Sequence, residues 1–305
     1  MSSFVIGKHG ARVVEELNLN SSYEEVDSLS DVNRSPTKGM ISVHRMLIDM
    51  LTELNRVACD NGLPYFLAYG TLLGAVRDQR LIAWDTDVDV LVPVDRYDAL
   101  CRVLEAELPP EMCLLSPLST PGYEQTFSRV AYRGIDHKIL RIDLYPLGRG
   151  PESRVGRFSY AVFVKAVNLA HMLKLVAIEE KLHYDLRKRI ITRLAKIPLA
   201  FVPSRVLLWG MNRVRRARFR GGTVADSCGR FGARQFFEAA WFNSATEVEL
   251  DGRLFKAPRD KERYLERVYG DFMTPVSAEQ QARELDIAEL YYVRPLQDLG
   301  VIAAD

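Results

Sequence analysis

The sequence predicts a mixed α/β (α+β) fold, in which a mixed-sheet core carries an added basic helical segment. Three observations predict it. Short apolar runs of strand length alternate with apolar residues at helical spacing between residues 38 and 144. Three aspartates alternate with apolar residues in one of these runs, at residues 83–92. Beyond residue 157 the pattern becomes helical and basic, with no acidic residue between Leu186 and Ala225.

Periodicity and turn residues predict the elements in chain order. A first helix ends at Asn61-Gly62, a Gly70-Thr71 turn separates a strand from a short helix, and Pro93 ends the strand that carries the aspartates. The predicted strands are 65–69, 83–92, 127–132 and 140–144, and the predicted helices are 38–61, 71–78, 96–108, 261–269 and 280–292, with further helix within 157–220.

Composition divides the chain into four parts. Residues 1–36 form a polar N-terminal extension, residues 37–156 the predicted catalytic core, residues 157–225 the basic helical segment and residues 226–305 a C-terminal part. The length of 305 residues fits one large domain or two, and an apolar fraction of 48% allows a sizeable core.

Several classes of protein are disfavoured by the sequence. The four cysteines form no Cys-x-x-Cys pair, which disfavours a zinc site and a disulfide framework, and the net charge of +1 indicates no partner. The N-terminus lacks the apolar run of a signal peptide, and no uncharged stretch is long enough to predict a spanning helix, so we expect a cytoplasmic protein. Phosphate-loop and Gly-x-Ser-x-Gly motifs are absent.

The aspartate run is the strongest chemical signal. Side chains alternate along a strand, so Asp85, Asp87 and Asp89 are predicted on one face, with the intervening valines on the other. Anions this close repel one another unless a cation lies among them. Carboxylates are ligands that Mg²⁺ prefers, so we predict a site for Mg²⁺ or Mn²⁺ made by these three residues.

Three kinds of metal site contain aspartates at a spacing similar to that of this run. A calcium loop requires Gly and Glu where this chain has Val90 and Arg96, so it is excluded. The Asp-x-Asp of a nucleotide-sugar glycosyltransferase stays open. A nucleotidyltransferase-like (polymerase-beta-like) arrangement also stays open, because the turn at Gly70 and Thr71 is followed by a helix and then by Asp-Val-Asp. Backbone amides of that turn are expected to bind phosphate.

Other candidate site residues come from nearby polar positions. Asp143 stands alone in an apolar strand-like run. It is predicted as a further metal ligand, from a neighbouring strand, and as a catalytic residue together with Asp87 and Asp89. Arg77 lies about two helical turns beyond the glycine turn and is expected to stabilise phosphate charge. Arg129 and Lys138 are further candidates for substrate binding.

The same stretch resembles the signature of the LicD family. The resemblance is carried by Tyr-Gly-Thr-Leu-Leu-Gly-x-x-Arg and Ile-x-Trp-Asp-x-Asp-x-Asp, by Ile-Asp-Leu-Tyr-Pro in the next candidate strand, and by a late Tyr-Leu-x-x-x-Tyr-Gly-Asp segment. In this chain the matching residues are Tyr69, Gly70, Thr71, Leu72, Leu73, Gly74, Arg77, Ile82, Trp84, Asp85, Asp87, Asp89, Asp143, Pro258, Tyr264, Leu265, Tyr269, Gly270, Asp271 and Met273.

The resemblance implies a transferase with a nucleotidyltransferase-like fold. Such an enzyme moves phosphocholine, phosphoribitol or phosphoglycerol from a CDP-activated donor to a hydroxyl of a glycan or lipid-linked glycan, and CMP leaves. Two features depart from the family pattern: Glu249–Gly252 is only similar to its Phe-Glu-Gly stretch, and no histidine follows His183. The fukutin-related protein is a distant relative of this family, and its zinc-binding cysteines are also absent here.

The basic segment at residues 186–222 allows two interpretations. It holds eleven Lys or Arg residues, and Phe201, Leu207, Leu208 and Trp209 are expected to enter a membrane interface, which would place the protein on the inner face of the plasma membrane. Alternatively, the segment is a soluble subdomain that contacts an anionic polymer. A non-catalytic module for nucleic acid or membrane is disfavoured, because an anion binder gains nothing from aligned acids; we expect no nucleic-acid partner.

Overall fold

The computed structural model describes residues 36–175, 196–197, 199–227 and 232–303. The N-terminal extension up to residue 35 and the basic residues at positions 187–193 lie outside the described residues. The strands are β1 (Phe66–Leu67), β2 (Val88–Pro93), β3 (Met112–Leu115), β4 (Ser128–Tyr132), β5 (Arg141–Arg149), β6 (Thr223–Asp226), β7 (Phe236–Glu238), β8 (Ala245–Leu250) and β9 (Arg253–Pro258). The α-helices are α1 (Lys38–Asp60), α2 (Tyr69–Arg77), α3 (Val94–Glu107), α4 (Arg154–Leu175), α5 (Ser204–Arg215), α6 (Lys261–Tyr269), α7 (Ala278–Ala288) and α8 (Arg294–Asp298).

Seven strands form one mixed sheet. Its main order is β1-β2-β5-β4-β3, and β6 and β7 extend it beside the second half of β5. Strands β2 and β5 pair in parallel, whereas their other neighbours are antiparallel. Strands β8 and β9 form a separate hairpin. The parallel pair at the centre of the sheet carries most of the candidate site residues.

The main hydrophobic core lies between the sheet and the helices. The first helix, α1, begins after Thr37, whose hydroxyl accepts a hydrogen bond of 3.1 Å from the amide of Met40, a normal N-cap contact. Its buried face joins the same core as α2 and α6, where Tyr264 is fully buried. This packing holds α2 next to β2, and so brings the glycine turn close to the aspartates.

A smaller core joins α4 to α5. Tyr160, Val164 and Val167 of α4 pack with Met211 of α5 and Phe236 of β7. None of the described helices combines the length and the hydropathy needed to cross a membrane.

The structure confirms the mixed α/β class and most predicted elements, with one correction that concerns the site. The strand predicted over residues 83–92 begins only at Val88, since residues 83–84 form a turn and Asp87 lies in a bend just before the strand. Asp85 is therefore not on the strand, and the expectation that three aspartates share one strand face is wrong. The strand predicted at 65–69 is reduced to two residues. The helix predicted from residue 71 begins at Tyr69, so Gly70 and Thr71 lie in the first turn of α2 and not in a separate turn.

The basic segment also differs from expectation at three positions. Leu208 is buried and Leu207 packs against the smaller core, so these two leucines do not reach out of the protein. Arg215 is buried as well: its Nε donates to Ser227 Oγ at 2.6 Å and its Nη2 to Thr126 Oγ1 at 3.0 Å. Periodicity alone could not separate these inward residues from exposed ones, because the segment is apolar and basic all round.

Candidate active site

Three carboxylates converge at the centre of the sheet. Asp89 of β2 lies opposite Asp143 of β5 in the parallel register, and Asp87 precedes Asp89 by two residues. One carboxylate oxygen from each of the three lies within 4.8 Å of the others. Asp143 is 0% exposed and Asp89 is 8% exposed, whereas the side chain of Asp87 is 16% exposed. The cluster is thus buried at one end and open at the Asp87 end.

Two buried arginines balance part of this negative charge. Arg129 of β4 lies opposite Asp143, to which its Nε donates at 2.5 Å and its Nη2 at 3.2 Å. Arg141 donates from Nη2 to Asp87, and its Nε lies 3.7 Å from Asp143 Oδ2. Burial lowers the pKa of Arg129, but the charge and hydrogen bonding of Asp143 together with the smaller effect of Tyr123 raise it overall, so Arg129 stays charged.

Asp143 is held more tightly than the other two aspartates. In addition to Arg129, the hydroxyl of Tyr145 donates to its Oδ2 at 3.1 Å. Each oxygen of this fully buried carboxylate therefore accepts at least one hydrogen bond, as a buried charge requires. Asp143 is consequently fixed in one orientation toward Asp89.

Asp85 lies apart from the converging oxygens, against the glycine turn. A Cβ at Gly70 would come within 2.8 Å of Asp85 Oδ2, so the close approach requires glycine. Oδ2 is buried without a hydrogen-bond partner among the described residues. Burial, and then the charges of Asp87 and Asp89, raise the pKa of Asp85 well above its ordinary value. The structure thus places Asp85 beside the cluster without bringing its oxygens into it.

The N-terminus of α2 connects the turn to β2. Thr71 is buried, and its hydroxyl accepts a 3.0 Å hydrogen bond from the amide of Asp89. Tyr69 has a φ of 48°, which is rare for a bulky residue and indicates local strain. The first amides of a helix lack intrahelical acceptors. The first turn of α2, with Gly70 and Thr71, therefore lies next to the aspartates, and its role in binding phosphate stays a prediction.

The remaining predicted basic residues lie further from the carboxylates. Arg77, at the end of α2, donates to Asp78 at 2.7 Å and lines an open cavity of about 680 Å³ with His44 and Arg253. Its charge still lowers the pKa of Asp85, against the larger effect of burial. Lys138 is exposed in the turn before β5, where its carbonyl accepts from Arg141.

Two residues of the site, Arg141 and Asp226, are not among those predicted from the sequence. Arg141 was overlooked, although its position two residues before Asp143 on the same strand places both side chains on one face. Asp226 was also overlooked: it is fully buried on β6 and accepts a 2.6 Å hydrogen bond from the Tyr69 hydroxyl. No local pattern marks Asp226, because its partner is far away in the sequence.

The converging carboxylates suit a hard divalent cation. Three carboxylate oxygens from Asp87, Asp89 and Asp143 form an all-oxygen donor set, which fits Mg²⁺ or Mn²⁺ better than a soft metal. A cation there would share these oxygens with Arg129 and Arg141. The donor set therefore fits the predicted metal, while the arginines explain how the acids remain stable in this arrangement.

The fold and the site define a mixed-sheet protein with a buried aspartate cluster beside a helix N-terminus. Residues 62–203 match the protein family described as LicD/FKTN/FKRP, nucleotidyltransferase domain, which confirms the resemblance seen in the sequence. Among curated proteins, none matches the chain. Residues 62–203 are therefore similar to a LicD-family nucleotidyltransferase domain, and this similarity supports a transferase.

Proposed function

We propose that the protein is a metal-dependent transferase that moves a phospho-alcohol from a CDP-activated donor to a hydroxyl of a cell-surface glycan and releases CMP. Phosphocholine, phosphoribitol and phosphoglycerol are the candidate groups. The observation that carries the proposal is the convergence of Asp87, Asp89 and Asp143 within the matched family domain. Phosphoryl transfer needs mainly positioning and charge neutralisation, which this site offers.

Asp87, Asp89 and Asp143 would hold Mg²⁺ or Mn²⁺. When bound, the ion would neutralise charge on the donor diphosphate and on the leaving CMP. Asp143 has both oxygens engaged by Arg129 and Tyr145, so we assign it to holding the cluster rather than to accepting a proton. Asp87 is the most exposed of the three and is the better candidate to accept the proton of the attacking hydroxyl.

The helix N-terminus supplies the second half of the proposed site. Backbone amides at Gly70 and Thr71 would donate to a donor phosphate, in keeping with the usual preference of helix N-termini for anions. Arg77 would act at longer range, since its guanidinium is already paired with Asp78. Arg129 would hold Asp143 in place rather than contact substrate, and the exposed Lys138 would contact the acceptor.

A second candidate function uses the same metal geometry. A nucleotidyltransferase or a nucleotide-sugar glycosyltransferase also places paired aspartates against a diphosphate. The three reactions differ in their products: CMP and a phosphodiester-decorated glycan, pyrophosphate, or a nucleoside diphosphate. The matched family is described as a nucleotidyltransferase domain, and this description favours phospho-alcohol or nucleotidyl transfer over glycosyl transfer.

The experiment that tests the proposal is a donor panel followed by ³¹P NMR. Purified protein with Mg²⁺ is incubated with CDP-choline, CDP-ribitol, CDP-glycerol or a UDP-sugar, together with extracted surface glycan. We expect CMP and a new phosphodiester signal from one CDP-alcohol, lost in Asp89→Asn and retained in Asp95→Asn, whose side chain is 77% exposed on α3. Pyrophosphate or UDP as the product would assign the protein to the second candidate.

We place the reaction in the cytoplasm, at the inner face of the plasma membrane, where a lipid-linked glycan acceptor would be met. The proposed partners are therefore the CDP-activated donor, the glycan acceptor and an anionic membrane surface. Nucleic acid is not among the proposed partners.

A further inference from the structure

Helix α4 is apolar on two opposite sides. One side packs Tyr160, Val164 and Val167 into the smaller core. The other side exposes large apolar residues; the side of the helix that carries Phe158, which is 71% exposed, is an example. These residues recur at intervals of three, four and seven positions, so they form one stripe along a helix about 33 Å long. We call Val155, Phe158, Val162, Leu169 and Met172 the outer stripe.

Exposed apolar residues continue from the outer stripe to α5 and the residues just before it. Phe201, which precedes α5, is 84% exposed, and Trp209 on α5 is 65% exposed. Helices α4 and α5 pack together in the smaller core, and Lys174 near the end of α4 donates to the carbonyl of Leu199, before α5, at 3.1 Å. A soluble surface helix normally turns charged residues to water on such a face. An apolar surface of this extent indicates an interaction site.

The charged residues on α4 and α5 themselves are all basic. No acidic residue occurs in α4 or α5, or between α5 and β6. A surface recess of about 430 Å³ is lined by Trp209, Arg213, Arg216 and Arg218. The Arg213 guanidinium lies 5.8 Å from the centre of the Trp209 ring, a cation–π distance. An aromatic residue beside several arginines suits a phosphate group at the edge of an apolar phase.

We propose that the outer stripe, Phe201 and Trp209 dock on a bilayer that contains anionic phospholipids. The apolar side chains enter the interface, and the arginine recess binds lipid phosphate. A second copy of this chain is the weaker occupant, because a two-fold interface would bring two surfaces of the same positive charge together. Arg216 also pairs with Asp98 at 2.7 Å, but an exposed pair of this kind is easily exchanged for lipid phosphate.

This inference goes beyond transfer chemistry, and its test measures no turnover. The full chain is mixed with phosphatidylcholine vesicles with and without phosphatidylglycerol, and bound protein is separated by flotation. We expect binding to the anionic vesicles that weakens as salt is added, because surface charges are screened. The double variant R213Q/R218Q should bind about 25-fold more weakly, at about fivefold for each lost charge.

Matched variants separate the surface from general effects. R133Q/R263Q removes two exposed arginines, one just after β4 and one on α6, and should bind like the unchanged protein. F158E/W209E should abolish binding, whereas Leu254→Glu, which changes an exposed residue on the β8–β9 hairpin, should not. Circular dichroism confirms that each variant is folded. If F158E/W209E fails to fold, R213Q/R218Q still decides the question.

Three results would overturn the proposal. The first is no binding to either kind of vesicle, and the second is equal binding by R213Q/R218Q and R133Q/R263Q. The third is a dimer in sedimentation velocity that F158E/W209E converts to a monomer, which would assign the face to a protein interface. A loss of transferase activity without a change in flotation would affect the proposed function and leave this surface in place.

Discussion

Asp89 and Asp143 lie directly opposite each other on the parallel strands β2 and β5, and Arg129 occupies the next place along the same row on β4. Two aspartates and one arginine thus lie side by side on three neighbouring strands. Parallel pairing places equivalent positions of two strands side by side, so the acids meet although they are distant in sequence. This row is the framework of the candidate site, and the following predictions concern it and its surroundings.

Arg129 is expected to be essential for stability. In Arg129→Met the Asp143 carboxylate loses both guanidinium hydrogen bonds and remains buried beside two other aspartates. We expect a loss of about 3–5 kcal/mol in the free energy of unfolding, measured by urea denaturation. Arg133→Met, on an exposed arginine just after β4, is the control and should change stability by less than about 0.5 kcal/mol. Similar values for both variants would show that the Arg129–Asp143 pair contributes little.

Mg²⁺ or Mn²⁺ is expected to stabilise the protein through the carboxylate cluster. A ligand that binds only the folded state, at a concentration one hundred times its Kd, raises the free energy of unfolding by about 2.7 kcal/mol. The melting temperature should therefore rise with Mg²⁺ or Mn²⁺, and the rise should vanish in Asp89→Asn. Asp60→Asn, on an exposed acid at the end of α1, should keep it. An equal rise in both variants would place the cation elsewhere.

Gly70→Ala is expected to reduce transfer more than stability. The new methyl group would meet Asp85 Oδ2 at 2.8 Å, so the Asp85 carboxylate must move. We expect at least a tenfold loss of turnover, with a stability loss of about 1–2 kcal/mol, since the clash involves a side-chain end rather than backbone. Gly222→Ala is the control, because a methyl group added there would meet nothing within 4 Å. Full activity of Gly70→Ala would show that the position of Asp85 is unimportant.

Glu284 is expected to make stability depend on pH. Its side chain is 7% exposed on α7, and burial raises its pKa from 4.5 to about 7, against a smaller opposing effect of Arg283. Between these pH values the folded protein holds the proton more tightly than the unfolded chain. This stability is therefore complete below about pH 4.5 and is lost as pH rises through about 7.

The check is urea denaturation of Glu284→Gln from pH 5 to 8. The neutral glutamine cannot ionise, so its advantage over the unchanged protein should grow with pH and reach roughly 1–2 kcal/mol at pH 8 after allowance for partial solvation. Glu279→Gln, on the first turn of the same helix, should show no such trend. A constant difference between Glu284→Gln and the unchanged protein would show that Glu284 does not titrate in this range.

Several parts of the site were predictable because their signals are local. The short helix that contains Gly70 and Thr71 and the spacing of Asp87 and Asp89 follow from neighbouring residues, although the helix begins at Tyr69 instead of after a separate turn at Gly70 and Thr71. Asp143 was predictable as a lone acid in an apolar run, and the structure brings it to the other two. The convergence of these three residues agrees with the prediction, whereas their function remains a prediction.

Other parts could not be predicted because they depend on contacts between distant segments. The start of β2 at Val88 is decided by pairing with β5, which begins its register at Ile142, so the alternation seen in the sequence extended too far toward Asp85. The pairing of Arg129 with Asp143 and of Tyr69 with Asp226 follows from strand order. The burial of Arg215 and Leu208 follows from the packing of α5.

By itself, the sequence determined the alternation of strands and helices, the glycine turn and the acidic character of the site. Each of these depends on backbone preference or on spacing within a few residues. Only the tertiary structure decided which carboxylates meet, which arginines neutralise them and which apolar residues of α4 remain exposed. The reason is that burial and charge pairing depend on distances across the sheet, and these are set when β2, β4 and β5 assemble around the core.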